Sequence, residues 1–253
     1  MNYILYKINE RINLLETIGE TSSIKQHYQS RIEFSFIYLL GYLWNKNFDK
    51  LDEEDKEFII QNILKPSIGS IIAICRKLDV EKNILKGKLN ETFNKYPKIR
   101  NESIGHGYIF EDSVDEFTNS LNDIYKILHQ SKIELFVKNT DLVLITKKEN
   151  NLYKGLNLKH NGAISAWSCP ANIFNFNIGE LYGSFELNKY FRLSPFIEIT
   201  SFGKEFYIYL SLEENLTGKV KYNRLIDTGI FFKEWEELVD LNIVNDGLKV
   251  KSP

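Results

Sequence analysis

The sequence predicts an α+β protein: an all-helical bundle over residues 1–131, a mainly antiparallel β domain over 132–242 and a flexible tail over 243–253. Three observations carry this reading. Apolar residues recur at three- and four-residue steps through the first half, the spacing of a buried helical stripe. After Lys132 the pattern changes to short alternating runs punctuated by Asn and Gly, the mark of strands and hairpins. Hydrophobic residues make up 43% of the chain and aromatics 13%, enough to bury a core and too much for a disordered chain.

Taken in order, Ile4, Leu5, Ile8, Ile12 and Leu15 define a first amphipathic helix. Residues 31–44, RIEFSFIYLLGYLW, are apolar on nearly every side after Glu33, which predicts a central helix surrounded by others. The acidic run Asp49, Asp52, Glu53, Glu54 and Asp55 resembles a metal cluster in composition, but acidic side chains also favour a helix's first turn, and that reading is preferred. Pro66 to Leu78 reads as a helix with Ile68, Ile71, Ile72 and Cys75 inward. Another is expected from about Val80 to Tyr96, stopped by Pro97. Ser113 and Glu116 form a capping box for a last helix that carries Val114, Phe117, Leu121, Ile124 and Leu128 to about Ser131.

In the second half, Ile133–Lys138 and Leu142–Thr146 flank Asn139-Thr-Asp as a hairpin. Further strands are expected at 152–158, 162–168, 181–187, 195–201, 205–211 and 218–222, with a short closing helix around Lys233 to Leu241. Phe206, Tyr207 and Tyr209 share one of these strands; alternation puts them on both faces, which favours a two-sided core over an open stacking surface.

Composition narrows the function. Net charge is -2, so no overall basic field announces nucleic acid, and any such contact is local. Cys75 and Cys169 lie far apart without CxxC or His-Cys companions, which points to a reduced, cytoplasmic protein without a zinc site. The N-terminus lacks a signal-peptide core, and no run reaches the ~18 apolar residues of a membrane span. GxxxxGK[ST], GxGxxG and GxSxG are absent, so nucleotide motors, Rossmann cofactors and α/β hydrolases have no motif here. His27, His129 and His160 read as structural, and Trp167 with Cys169 in SAWSCP reads as core.

Chemistry concentrates in Tyr96–Phe110, YPKIRNESIGHGYIF, where Arg100, Asn101 and His106 stand between two helical segments. Arginine offers a fixed fork of donors to phosphate oxygens, and histidine titrates near neutrality, so the pair has the groups needed to cut RNA without a metal. On a continuous helix Arg100 and His106 would lie about 120° apart. The glycines on both sides of His106 offer a break that turns it back, and a second copy of the motif across a dimer offers another route to one cleft. Lys95 and Lys98 are candidates for the adjoining RNA path. The ordinary readings are an arginine capping helix carbonyls, a turn histidine and a solvated lysine face.

This RN...HG motif, at the end of an all-helical segment of about 131 residues, resembles the HEPN superfamily, as found in bacterial abortive-infection and other defence proteins. The five-residue gap between Arg100 and His106 fits the family's spacing, and Asn directly after Arg is its common polar choice. The resemblance implies a cytoplasmic RNA endonuclease of an antiviral or toxin system, active as a homodimer through the helical domain, independent of metal and of any cofactor. It implies catalytic roles for Arg100 and His106, support from Asn101 and products ending in 2',3'-cyclic phosphate, with RNA, tRNA included, as substrate. The β domain then regulates or docks a protein partner. The alternatives are a non-catalytic HEPN-like module for dimerisation, RNA or nucleotide binding, and a plain interaction protein in which the motif is architectural.

Overall fold

The computed structural model describes residues 2–234 apart from 20, 65, 82–83, 105–118, 122, 125, 160, 187, 200–204, 214–218 and 225–229. Helices occupy the N-terminal half and antiparallel strands the C-terminal half. Helix α1, Tyr3–Ile18, begins where the Asn2 side chain accepts the N–H groups of Ile4 and Leu5 at 2.9 and 3.3 Å, and buries the expected stripe. Gly19, at φ 72°, takes the left-handed conformation that ends it.

Helix α2, Thr21–Asn47, is the hub. Phe34, Phe36, Ile37, Tyr38, Leu39, Leu40 and Leu43 are all buried, so it is enclosed on every side, as its sequence predicts. His27 lies inside α2 and is buried. Helix α3 spans Glu53–Ile63, and the Asp52 carboxylate accepts the Asp55 N–H at 2.8 Å; the acidic run therefore forms a capped helix start. Helix α4, Ile68–Leu78, is capped by Ser67 and buries Cys75, whose thiol is pushed up by burial.

Two expectations for the helices are corrected. Helix α5 spans Lys88–Ile104 and runs through Pro97 instead of stopping there. Its start is delayed because the buried Asp79 carboxylate takes the N–H groups of Ile84 and Leu85, at 3.0 and 2.9 Å, and holds that connection out of the helix. Gly69 of α4 lies beside the proline, where a Cβ built on it would make an ordinary 3.7 Å contact with Pro97 Cβ. Helix α6, Lys132–Lys138, occupies the segment expected as a strand. Ser131 caps it, and the buried Ile133, Glu134 and Val137 follow helical period, not alternation. Before it, helical residues between 119 and 129 bury Leu121, Ile124 and Leu128 as expected. The Ser113–Glu116 box lies outside the described residues.

The described strands form two antiparallel sheets. The first, in order β3-β2-β1-β4-β5, comprises β1 Asp141–Glu149, β2 Leu152–Leu158, β3 Ile164–Pro170, β4 Leu181–Glu186 and β5 Lys189–Arg192. The second, β6-β7-β8-β9, comprises Ile197–Ile199, Phe206–Glu213, Lys219–Arg224 and Ile230–Glu234. Lys233 and Glu234 thus belong to a strand, where a helix was expected; the rest of that segment and the tail lie outside the described residues.

One hydrophobic cluster runs through both halves. Tyr42 of α2 meets Phe191 of β5 at 5.3 Å and Phe136 of α6 at 4.2 Å, and Trp44 meets Phe196 at 5.3 Å. Asn45 exchanges two hydrogen bonds with the backbone of Arg192. The Tyr209 hydroxyl donates to the Ile63 carbonyl at 2.6 Å, and Phe206, Tyr207 and Ile208 are buried with it. On the other face of the first sheet, Trp167 of β3 touches Tyr190 of β5 at 5.9 Å. These are opposite edges, about 19 Å apart in a flat sheet, so the sheet is rolled around Phe176.

Candidate functional site

The end of α5 is built on a helix with three distinct faces. Leu89, Phe93 and Tyr96 form its buried stripe, and Phe93 meets Phe36 of α2 edge-on at 4.2 Å. Asn90 and Asn94 lie on a polar stripe, where Arg76 of α4 donates to both, at 2.8 and 2.6 Å. Arg76 is partly buried, and that burial lowers its pKa. Lys95 and Lys98 are exposed on a third face.

At about 100° per residue, Arg100 takes a register position within ~40° of Leu89, Phe93 and Tyr96, continuing the inward stripe by one turn. Asn101 is exposed and in register with Asn90 and Asn94. The positions of Lys95 and Lys98 fall about 140–160° from that of Arg100. The helix therefore brings Arg100 and Asn101 onto one turn and separates them from each other by a face; it does not put the lysine pair on the arginine's side. His106 lies outside the described residues, two positions past the end of α5.

Two buried polar clusters were not anticipated from the sequence. Arg31 of α2 and Glu134 of α6, both fully buried, form an ion pair across the helix junction. Lys138 Nζ and His129 Nδ1 approach the same Glu134 oxygen at 3.4 and 3.6 Å. Three ionisable groups around one carboxylate could suggest a catalytic centre, but Arg31 and Glu134 are closed to solvent and join two helices, so the arrangement is a clamp. The available signal was a charge set inside apolar runs: Arg31 before IEFSFIYLL, Glu134 within KIELFV.

The second cluster lies where the sheets meet. Arg192 pairs with Glu180, the Tyr182 hydroxyl donates to the other Glu180 oxygen at 3.0 Å and accepts the Asn177 N–H at 2.9 Å. Burial pushes the Tyr182 hydroxyl up, so it stays a neutral donor. Cys169, beside the Trp167 ring, is buried and its thiol is raised by desolvation, the reverse of what a nucleophile needs.

No helix among the described residues is long and apolar enough to cross a membrane. Comparison with known proteins finds no matching family, no matching curated protein and no matching solved structure.

Proposed function

We propose that the protein is a metal-independent ribonuclease of the HEPN type, acting in a bacterial antiviral defence or toxin system as a homodimer. The observation that supports it most is the position of Arg100 and Asn101 near the C-terminal end of α5, inside the helical half and just ahead of the His106 stretch. The chemistry follows from the groups. His106 takes the proton from a ribose 2'-hydroxyl, the 2'-oxygen bonds to phosphorus, and the bond from phosphorus to the 5'-oxygen breaks. A second proton donor, the His106 of a partner copy or water, protonates that 5'-oxygen. Arg100 supplies fixed positive charge to the phosphorane oxygens as they gain charge, and Asn101 orients either group. The products carry a 2',3'-cyclic phosphate and a 5'-hydroxyl.

A second reading is favoured by one observation: the Arg100 register continues the packing stripe, and Lys95 and Lys98 stand on the opposite face. In that reading the motif organises a non-catalytic HEPN-like module for dimerisation or RNA binding. Incubation of purified protein with total RNA and tRNA in EDTA separates the two. The ribonuclease gives cyclic-phosphate ends, and Arg100→Ala and His106→Ala each lose about 100-fold or more in rate. Wild-type protein that binds RNA without cutting it establishes the module.

A further inference from the structure

Among the described strands, four stand at sheet edges, and they differ in how they meet water. Strand β5 is four residues long, carries Lys189 and Arg192, and sits beside a register shift in β4. Strand β6 is three residues long and carries Glu198; β9 carries Lys233 and Glu234. Short length, charge and bulges are the usual protections of an edge against pairing. Strand β3, ISAWSCP, has none of these three and, of the other protections, only a proline at its last position: seven residues, no charge, and an unbroken register from Leu152↔Pro170 to Leu158↔Ile164.

Its free backbone groups can be assigned. Lys159 N–H donates to the Ala163 carbonyl at 2.8 Å and Ala171 N–H to the Asn151 carbonyl at 2.8 Å, in line with the β2–β3 register. In an antiparallel pair the bonded residues alternate, so the odd-numbered residues of β3 bond to β2. The N–H and C=O groups of Ile164, Ala166 and Ser168 therefore point off the edge. Ala166 and Ser168 are exposed and Ile164 is 40% exposed. Pro170 has no N–H, and its carbonyl already accepts from Ile173, which closes the edge at that end.

We infer that β3 is a self-pairing edge through which two copies of this chain join their first sheets, antiparallel, with the two-fold axis at Ala166. That register sets Ala166 opposite Ala166 and Ile164 opposite Ser168, so every outward N–H of the edge meets a carbonyl of the partner copy. It also sets Trp167 opposite Ser165, so each large side chain faces a small one. Moving the axis to Trp167 would press two indoles together in a closely spaced pair and leave Pro170 without a donor for Ile164. The absence of charge removes like-charge repulsion from a symmetric pair, and it leaves no ion pair with which to select a foreign strand. The inference is independent of the ribonuclease reading.

The test is the mass of the full chain in solution across a concentration series. Ala166→Pro removes a donor that β2 does not use, and Ala166→Lys and Ala166→Glu each place like charges across the axis. The limiting mass of wild type is expected to be twice that of each variant, and an equimolar mixture of Ala166→Lys and Ala166→Glu is expected to recover the wild-type mass. A separate two-fold contact through the helices would combine with the β3 contact into a larger assembly, so in that case the wild-type mass is expected to be at least twice that of each variant. Equal masses for wild type and the two charge variants, or a mixture that stays apart, overturn the proposal; the exposed charge variants decide the matter even if the proline variant does not fold.

Discussion

Helices α2 and α5 are both long, touch each other through Phe36 and Phe93, and are used in opposite ways. Around α2 every side is occupied: α1 and α4 pack on it, Arg31 reaches Glu134, and Tyr42, Trp44 and Asn45 bind it to the strands. On α5 one stripe is buried, with Arg100 at a register position of that stripe, and the remaining faces carry Asn and Lys outward, ending at the exposed Asn101. A helix enclosed on all sides has no freedom to hold chemistry, because each side chain there is a packing partner. A helix with one buried stripe can change its other faces at little cost, and Asn101 of the candidate motif stands on one of them.

The largest test of this contrast is the α2 clamp. Arg31→Ala leaves Glu134 buried without its main counter-charge and is expected to cost about 3–5 kcal/mol, read as a lowered urea midpoint; Arg31→Met with Glu134→Leu recovers most of it. At the contact between the helices, Phe93→Ala is expected to cost about 3–5 kcal/mol if the site stays open, and less where neighbours collapse inward. A double cycle with Phe36→Ala gives a coupling above about 0.5 kcal/mol, since the rings share one contact. On the outer face of α5, Lys95→Ala and Lys98→Ala are expected to stay within about 0.5 kcal/mol of wild type in thermal unfolding while weakening RNA binding, most clearly at low salt.

The smallest effect is expected far from both helices, at the exposed tip of β1 and β2. Hydrogen bonds from Lys147 and Lys154 hold the Glu149 carboxyl at about 2, below its ordinary value of 4.5. A carboxyl lowered by folding contributes stability above its unfolded value and loses it as the pH falls through the folded one. Glu149→Gln should therefore flatten the acid side of the stability profile slightly between about pH 4.5 and 2, and salt should erase the difference.

Much of the helical half was legible because its pattern is local. Ile4, Ile8, Ile12 and Leu15 announce α1 at a spacing only a helix satisfies, and the unbroken apolar run of α2 announces enclosure. Reading failed where a distant partner decided the outcome. Ile133, Leu135 and Val137 alternate like a strand, but Glu134 meets Arg31 of α2 and the segment coils to bring it there. Pro97 reads as a stop, yet α5 continues through it where it packs beside Gly69 of α4, close in space and distant in sequence. Strands β5 and β9 were missed because four- and five-residue runs with Lys, Arg and Glu carry little alternation to read. At the candidate site, the nearness of Arg100 to Asn101 was legible from sequence; the opposite facing of the lysines was not, because it depends on α5 continuing past Pro97.

The most direct measurement pairs stability with cleavage for Arg100→Ala in a single preparation. If the end of α5 holds chemistry, the melting temperature stays within about 2 °C of wild type, less than 1 kcal/mol at this chain length, while metal-independent RNA cleavage falls about 100-fold or more. A fall of several degrees, with cleavage per folded molecule unchanged or absent already in wild type, would contradict the account and make Arg100 the last residue of the packing stripe.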